Sequence, residues 1–128
     1  MTNKKINKKN VKAMLNLRLT VHNEDPHPYS QFYSKSTLHV VICNYLSKQY
    51  LDNDSSSFEE IVKFVNKRLG SRSTILNCLK EGVDREIFTK SGDANDRRLR
   101  KYSMVEDAFL YFNDYVNELN EKLLQQEG

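Results

Sequence analysis

The chain has 128 residues, 38% of them hydrophobic and 29% charged, with a formal net charge of +3. That length is one domain or one dimerising subunit. No run of about 18 apolar residues is present for a membrane span, and the Lys- and Asn-rich start lacks the apolar stretch of a secretory signal. The two cysteines, Cys43 and Cys78, read as reduced thiols rather than a disulfide framework, so the expected compartment is the cytoplasm.

Charge is distributed unevenly. Residues 1–23 carry six basic side chains and no acid, and residues 63–101 carry eleven basic against five acidic. Residues 24–62 hold two lysines against six acids, and residues 102–128 one lysine against six. Such a division points to a nucleic-acid face joined to an acidic scaffold. For the first residues, a merely solvated Lys-rich tail is the competing account.

Residues 1–9 are expected to be a flexible basic N-terminus. From about Asn10, Val11, Met14, Leu15 and Leu19 recur at helical spacing, widened by Leu17 and Val21. Residues 22–30 contain both prolines of the chain, Pro26 and Pro28, and read as a stiff extended loop. Gln31-Phe32-Tyr33 follows as a short packing segment. Ser34 or Ser36 then caps a helix whose Leu38, Val41, Ile42, Tyr45, Leu46 and Gln49 share one face. It ends at the turn cluster Asp52–Ser56 and reads as the central core element.

Ser57-Phe58-Glu59-Glu60 is a capping box that starts the next helix. Phe58, Ile61, Val62, Val65 and Leu69 continue it, and Gly70 is expected to end it. Ser71 caps a second helix over about 72–85, with Ile75, Leu76, Leu79 and Val83 turned inward. Two short helices joined by a Gly-containing turn make a helix-turn-helix over about 57–85. Arg72, Ser73, Asn77 and Lys80 then face outward, the residue types that reach phosphates and base edges. Two β-like runs follow, Glu86–Lys90 and Arg98–Ser103, around a turn-rich stretch at residues 91–96. This basic ribbon, over about 86–103, carries Lys90, Arg97, Arg98, Arg100 and Lys101. Arginines at a ribbon tip suit the negative potential of a DNA minor groove.

A second capping box, Ser103-Met104-Val105-Glu106, opens the last helix, over about 104–125. Val105, Phe109, Phe112, Val116, Leu119 and Leu123 form a heptad seam along it. At about 1.5–3 kcal/mol per fully buried large side chain, such a seam can hold two subunits together. The competing account is that it folds back on the N-terminal helix of its own chain.

The stretch D-A-N-D-R-R-L-R-K-Y-S-M-V-E-D-A, residues 93–108, resembles the wing of MarR-type winged-helix transcription regulators, and the likeness extends back to Ser71-Arg72-Ser73-Thr74-Ile75. Asp93, Asp96, Arg97 and Arg98 fall on the charged positions of that wing. The resemblance implies that Asp96 braces Arg98 and that Arg97, Arg98 or Arg100 touches DNA. It implies DNA contacts from the recognition helix at Ser71, Arg72, Ser73, Thr74, Asn77 and Lys80, and from Lys90 and Asn95 in the wing. It also implies terminal helices that interlock across a two-fold axis, and an unidentified small-molecule effector bound between the dimerising and DNA-binding parts. Tyr29, Phe32, Tyr33 and Tyr45 are candidates to line such a pocket. Four positions depart from the pattern. Glu86 stands where glycine commonly precedes the wing, Gly82 lies inside the recognition helix, and Val105 and Ala108 replace the Thr and Gly that follow the wing.

Catalytic signals are lacking. There is no Gly-rich phosphate loop, no H-E-x-x-H and no G-x-S-x-G. The acid pairs Glu59-Glu60 and Glu106-Asp107 fit helix N-terminal charge preference. His22, His27 and His39 have no metal-site spacing, and both cysteines read as buried small hydrophobes. The expectation is therefore a mainly α protein with a small β-wing: a winged helix-turn-helix over residues 10–128 with N- and C-terminal dimerisation helices. It would be a sequence-specific, double-stranded-DNA-binding regulator acting as a homodimeric repressor, not an enzyme, with no metal, cofactor or membrane partner. A non-specific DNA-binding accessory protein and a protein-interaction module are the alternatives.

Overall fold

The computed structural model describes residues 7–19, 27–92 and 100–127; within its terminal helices, positions 13, 17, 18, 119, 120 and 122–127 are described by backbone alone. The order of elements is α1 (Lys8–Leu19), α2 (Pro28–Tyr33), α3 (Thr37–Leu51), β1 (Ser56–Ser57), α4 (Phe58–Phe64), α5 (Arg72–Asp84), β2 (Phe88–Gly92), β3 (Arg100–Met104) and α6 (Glu106–Glu127). This is a mostly helical chain with one small antiparallel sheet, ordered β1-β3-β2, as the sequence led us to expect.

Helix α1 begins at Lys8, inside the stretch expected to be a flexible tail, because the Asn7 side chain accepts from the Asn10 amide at 3.1 Å and satisfies a free N–H of the first turn. Its Val11, Met14, Leu15 and Leu19 are all exposed, although α1 runs beside α6. Proline 28 does not extend a loop as expected. It occupies the first position of α2, where its missing N–H costs nothing, and His27 caps that helix by accepting from the Tyr29 amide through Nδ1 at 3.1 Å. Pro26 lies outside the described residues.

Helix α3 is capped by Ser36 and buries Leu38, Ile42, Cys43 and Leu46. Strand β1 starts at the last residue of the expected turn, and its Ser56 and Ser57 pair with Tyr102 and Lys101. Two serines carry no strand periodicity, so only the neighbouring strand reveals them. The capping box at α4 is present in full: the Glu60 amide donates to Ser57 Oγ at 3.2 Å, and the Ser57 amide donates to Glu60 Oε1 at 3.1 Å. This helix ends at Phe64, with Val65 as its C-cap, and not at Gly70. Asn66 stops it, because its Oδ1 accepts from the Arg68 amide at 2.9 Å and offers the backbone a turn in place of another helical bond.

Helix α5 starts at Ser71, whose Oγ accepts from the Thr74 amide, and buries Ile75, Cys78, Leu79 and Gly82. Its C-terminus is a Schellman motif: the Glu86 amide donates to the Val83 carbonyl at 3.0 Å and the Ile87 amide to the Gly82 carbonyl at 2.8 Å. That motif needs a left-handed residue at position 86, and Glu86 adopts it with φ 61°. Strand β2 begins two residues later than expected and runs on through Ser91 and Gly92, which the sequence assigns to the turn; β3 is described from Arg100, the first two residues of its expected run lying outside the described residues, and the pairs are Phe88 with Met104 through Gly92 with Arg100.

The second capping box does not form. Ser103 is a strand residue opposite Thr89, and α6 starts only after Val105, whose amide donates to the Ile87 carbonyl at 2.9 Å. The ladder uses the backbone that a cap would need. The core is one cluster in which Phe32, Ile42, Leu46, Ile61, Leu79, Ile87 and Ala108 are fully buried.

Candidate nucleic-acid interface

Periodicity divides α5 into two faces. Ile75, Cys78, Leu79 and Gly82 anchor one in the core, and Ser71, Arg72, Ser73, Thr74, Asn77 and Lys80 are exposed on the other. The leading end is rich in hydroxyls. Ser71 Oγ lies 3.1 Å from Ser73 Oγ and 3.0 Å from Thr74 Oγ1, so the cap and its neighbours share hydrogen bonds. A hollow of about 410 Å³ opens beside this end, with Val62, Val65 and Ile75 as its apolar floor and Lys67, Ser71 and Arg72 among its polar lining.

Arg72 is already paired. Its Nη1 donates to Glu59 Oε2 at 3.0 Å and its Nη2 to Glu59 Oε1, and the guanidinium lies 5.2 Å from the centre of the Phe58 ring. Arginine hydrogen bonding holds the Glu59 carboxyl below its ordinary value and raises the Arg72 guanidinium above its own. Sequence reasoning had explained Glu59 by helix-terminal charge preference alone. That account fits Glu60, which closes the capping box, and leaves the role of Glu59 to be found in three dimensions.

The sheet brings two more cations to the same side. Lys90 on β2 lies over the Tyr102 ring, with Nζ 5.5 Å from its centre. Arg100 on β3 is exposed and shares with Lys90, Glu59 and Leu76 a hollow of about 360 Å³ between the ribbon and the two helices. Lys80 and Lys90 flank a second hollow, of about 210 Å³. Asn95, Asp96, Arg97 and Arg98 lie outside the described residues. Lys67 was not singled out from sequence, since the helix was expected to run through it.

The opposite side of α5 is tied to the scaffold by charge. Glu81 takes Lys35 Nζ at 2.6 Å and Arg85 Nη2 at 3.0 Å, and His39 Nε2 stands 3.9 Å away. The Lys35 hydrogen bond holds Glu81 below its ordinary value, and burial lowers His39.

The proposed dimer seam divides in this structure. Val105, Phe109 and Phe112 pack against the chain's own core: Phe109 lies 4.4 Å from Tyr50 and Phe112 5.2 Å from Tyr33, ring centre to ring centre. Val116 is exposed, and the side chains of Leu119 and Leu123 are not described. Nor do the four aromatics suggested for an effector pocket converge. Phe32 is fully buried in the core, Tyr29 and Tyr33 pack near α6, and Tyr45 accepts from Ser56 Oγ and stacks on Phe64. An apolar hollow of about 280 Å³ lies instead between α3 and α6, lined by Leu51, Phe109, Phe112 and Val116 with Lys48 and Asn113.

No protein-family model matches the chain, and comparison with curated proteins finds no match. Solved structures do match. A mutant of ZitR from Lactococcus lactis superposes with a TM-score of 0.56 at 16% identity, over 91% of this chain and 75% of that one. BpsR of Bordetella bronchiseptica, whose DNA binding is regulated by 6-hydroxynicotinic acid, gives 0.51 at 13%, over 94% and 76%. The transcriptional regulator Tm0710 of Thermotoga maritima gives 0.50 at 15%, over 90% and 67%. With α5 following α4 across a turn and a β-ribbon following α5, the chain has the winged helix-turn-helix fold of MarR-like transcriptional regulators.

Proposed function

We propose that this chain is a sequence-specific DNA-binding transcriptional regulator that works as a homodimeric repressor on a pseudo-palindromic site. The observation that carries the reading is the α5 face: six exposed polar or basic side chains, Ser71 to Lys80, backed by a fully packed opposite face and flanked by Lys90 and Arg100. Helix α5 enters a major groove, and the ribbon reaches the adjoining backbone and minor groove, where Asn95, Arg97 and Arg98, with Asp96 bracing, add contacts. Repression follows from occupying a promoter, in the cytoplasm.

Dimerisation is supported by the exposed apolar row Val11, Met14, Leu15 and Leu19 on α1, beside the exposed Leu110 and Val116 of α6. An exposed row of this kind on a chain of this size marks an interaction surface. To read successive major grooves, two copies joined there must hold their α5 helices about 34–36 Å apart, one turn of the duplex. A small-molecule effector acts from the hollow between α3 and α6, where a ligand bridges the core helix and the terminal helix.

Selection of bound duplexes from a random pool tests the reading, with sedimentation giving the mass of the protein and of the complex. An inverted repeat bound by two chains supports it. Salt-sensitive binding without a motif favours a non-specific accessory protein. No binding at low salt leaves the protein-interaction module.

A further inference from the structure

The Glu59–Arg72 pair places an acid against the cation at the leading end of α5, in the hollow that also holds Lys90 and Arg100. Both side chains are more than half exposed, at 60% and 59%. An exposed pair contributes little to stability, and Glu60, not Glu59, makes the capping box. A carboxylate here also repels incoming phosphates. The pair therefore has a cost for DNA binding and little return in folding. What it does provide is geometry: the carboxylate grips both Nη atoms, and the Phe58 ring lies beside the guanidinium. Arginine has five N–H donors in a rigid plane. Two are committed to Glu59, three remain, and the unit charge at the leading end of α5 is neutralised.

We propose that Glu59 is a specificity-determining residue that positions Arg72, withholding its charge from indiscriminate phosphate pairing while presenting its remaining donors in a fixed plane at the start of the recognition helix. The proposal rests on the DNA-binding reading above. On random duplex, where contacts are mostly phosphate, the neutralised pair adds nothing and the carboxylate repels. On the correct site, the oriented guanidinium meets a matching acceptor. Glu59 thus widens the gap between specific and random binding by weakening the random side.

The test uses the full chain with Glu59→Gln, Arg72→Ala and the double variant, each measured on the selected duplex and a random duplex over a range of salt. Thermal melts show whether each variant is folded. Glu59→Gln is expected to bind random duplex severalfold more tightly and to gain less on the selected site. Its salt slope on random duplex steepens by about 0.9, one added phosphate contact. In the Arg72→Ala background the same substitution removes only the unpaired carboxylate's repulsion, alike on both duplexes, so the ratio of specific to random affinity stays unchanged. An equal gain on both duplexes, independent of Arg72, overturns the proposal and leaves Glu59 a nearby charge. An unchanged salt slope also overturns it. Failure of the wild-type chain to bind any duplex sinks the DNA reading itself and the proposal with it, a result distinct from the other two.

Discussion

The ring of Phe88 occupies the space where a side chain on residue 82 would lie: a Cβ built on Gly82 overlaps the Phe88 ring. Phe88 is buried and packs edge-to-face on Phe32 at 5.5 Å, so it has nowhere to move. Glycine in a helix interior costs about 1 kcal/mol relative to alanine, and here close packing of α5 on β2 offsets that. Gly82→Ala is therefore expected to lower stability, by about 1–3 kcal/mol as overpacking dominates propensity, measured by urea denaturation. A stabilised variant would refute the packing account.

Glu86 holds the left-handed position of the Schellman motif without being glycine. A left-handed conformation costs an L-residue about 1–2 kcal/mol, and part of that returns as added freedom of the unfolded chain when glycine is introduced. Glu86→Gly is expected to raise stability by up to about 1 kcal/mol, seen as a higher melting temperature with the denaturant slope unchanged.

Acidification should destabilise the fold in two stages. Burial lowers His39 from its ordinary 6.5, so below that pH the unfolded chain takes up the proton first and stability falls. The Lys35 hydrogen bond lowers Glu81 from 4.5, so its contribution is present above that value and lost as pH falls further. His39→Gln should flatten the upper stage of a stability–pH profile and leave the lower one. Retention of the full decline between pH 7 and 5 would assign it elsewhere.

Both thiols should resist modification in the folded protein. Cys43 and Cys78 are 1% and 3% exposed. Burial pushes Cys43 well above its ordinary value and Cys78 to about 12. The thiolate is the reactive form, so a disulfide reagent should titrate the two only as the chain unfolds. Fast labelling of either in native buffer would contradict this.

Under the proposed DNA reading, base and phosphate contacts from the exposed face of α5 are separable. Asn77→Ala should cost about 1–3 kcal/mol on the selected duplex and relax preference at one base position. Lys80→Ala should weaken all duplexes evenly and reduce the salt slope by about 1. Competition binding against single-base variants of the site distinguishes the two patterns.

The sequence by itself determined the local features. Ser57 and Ser71 cap helices because a cap acts within one turn, and the 3.6-residue period of Ile75 and Leu79 fixes which face of α5 is exposed; before α3 the sequence left Ser34 or Ser36, and the fold uses Ser36. The departures at Gly82 and Glu86 were also legible as residues, though not their reasons. Tertiary structure decided everything that depends on a distant partner. Ser56 and Ser57 are a strand only because β3 lies alongside, and Ser103 is a strand residue rather than a cap for the same reason. Phe109 and Phe112 belong to the chain's own core because Tyr50 and Tyr33 meet them there. Arg72 finds Glu59 thirteen residues back, and Lys35 finds Glu81 forty-six residues on. Capping and periodicity are set by neighbours in the chain. Pairing across elements is set by which surfaces the core brings together, and no local pattern encodes that.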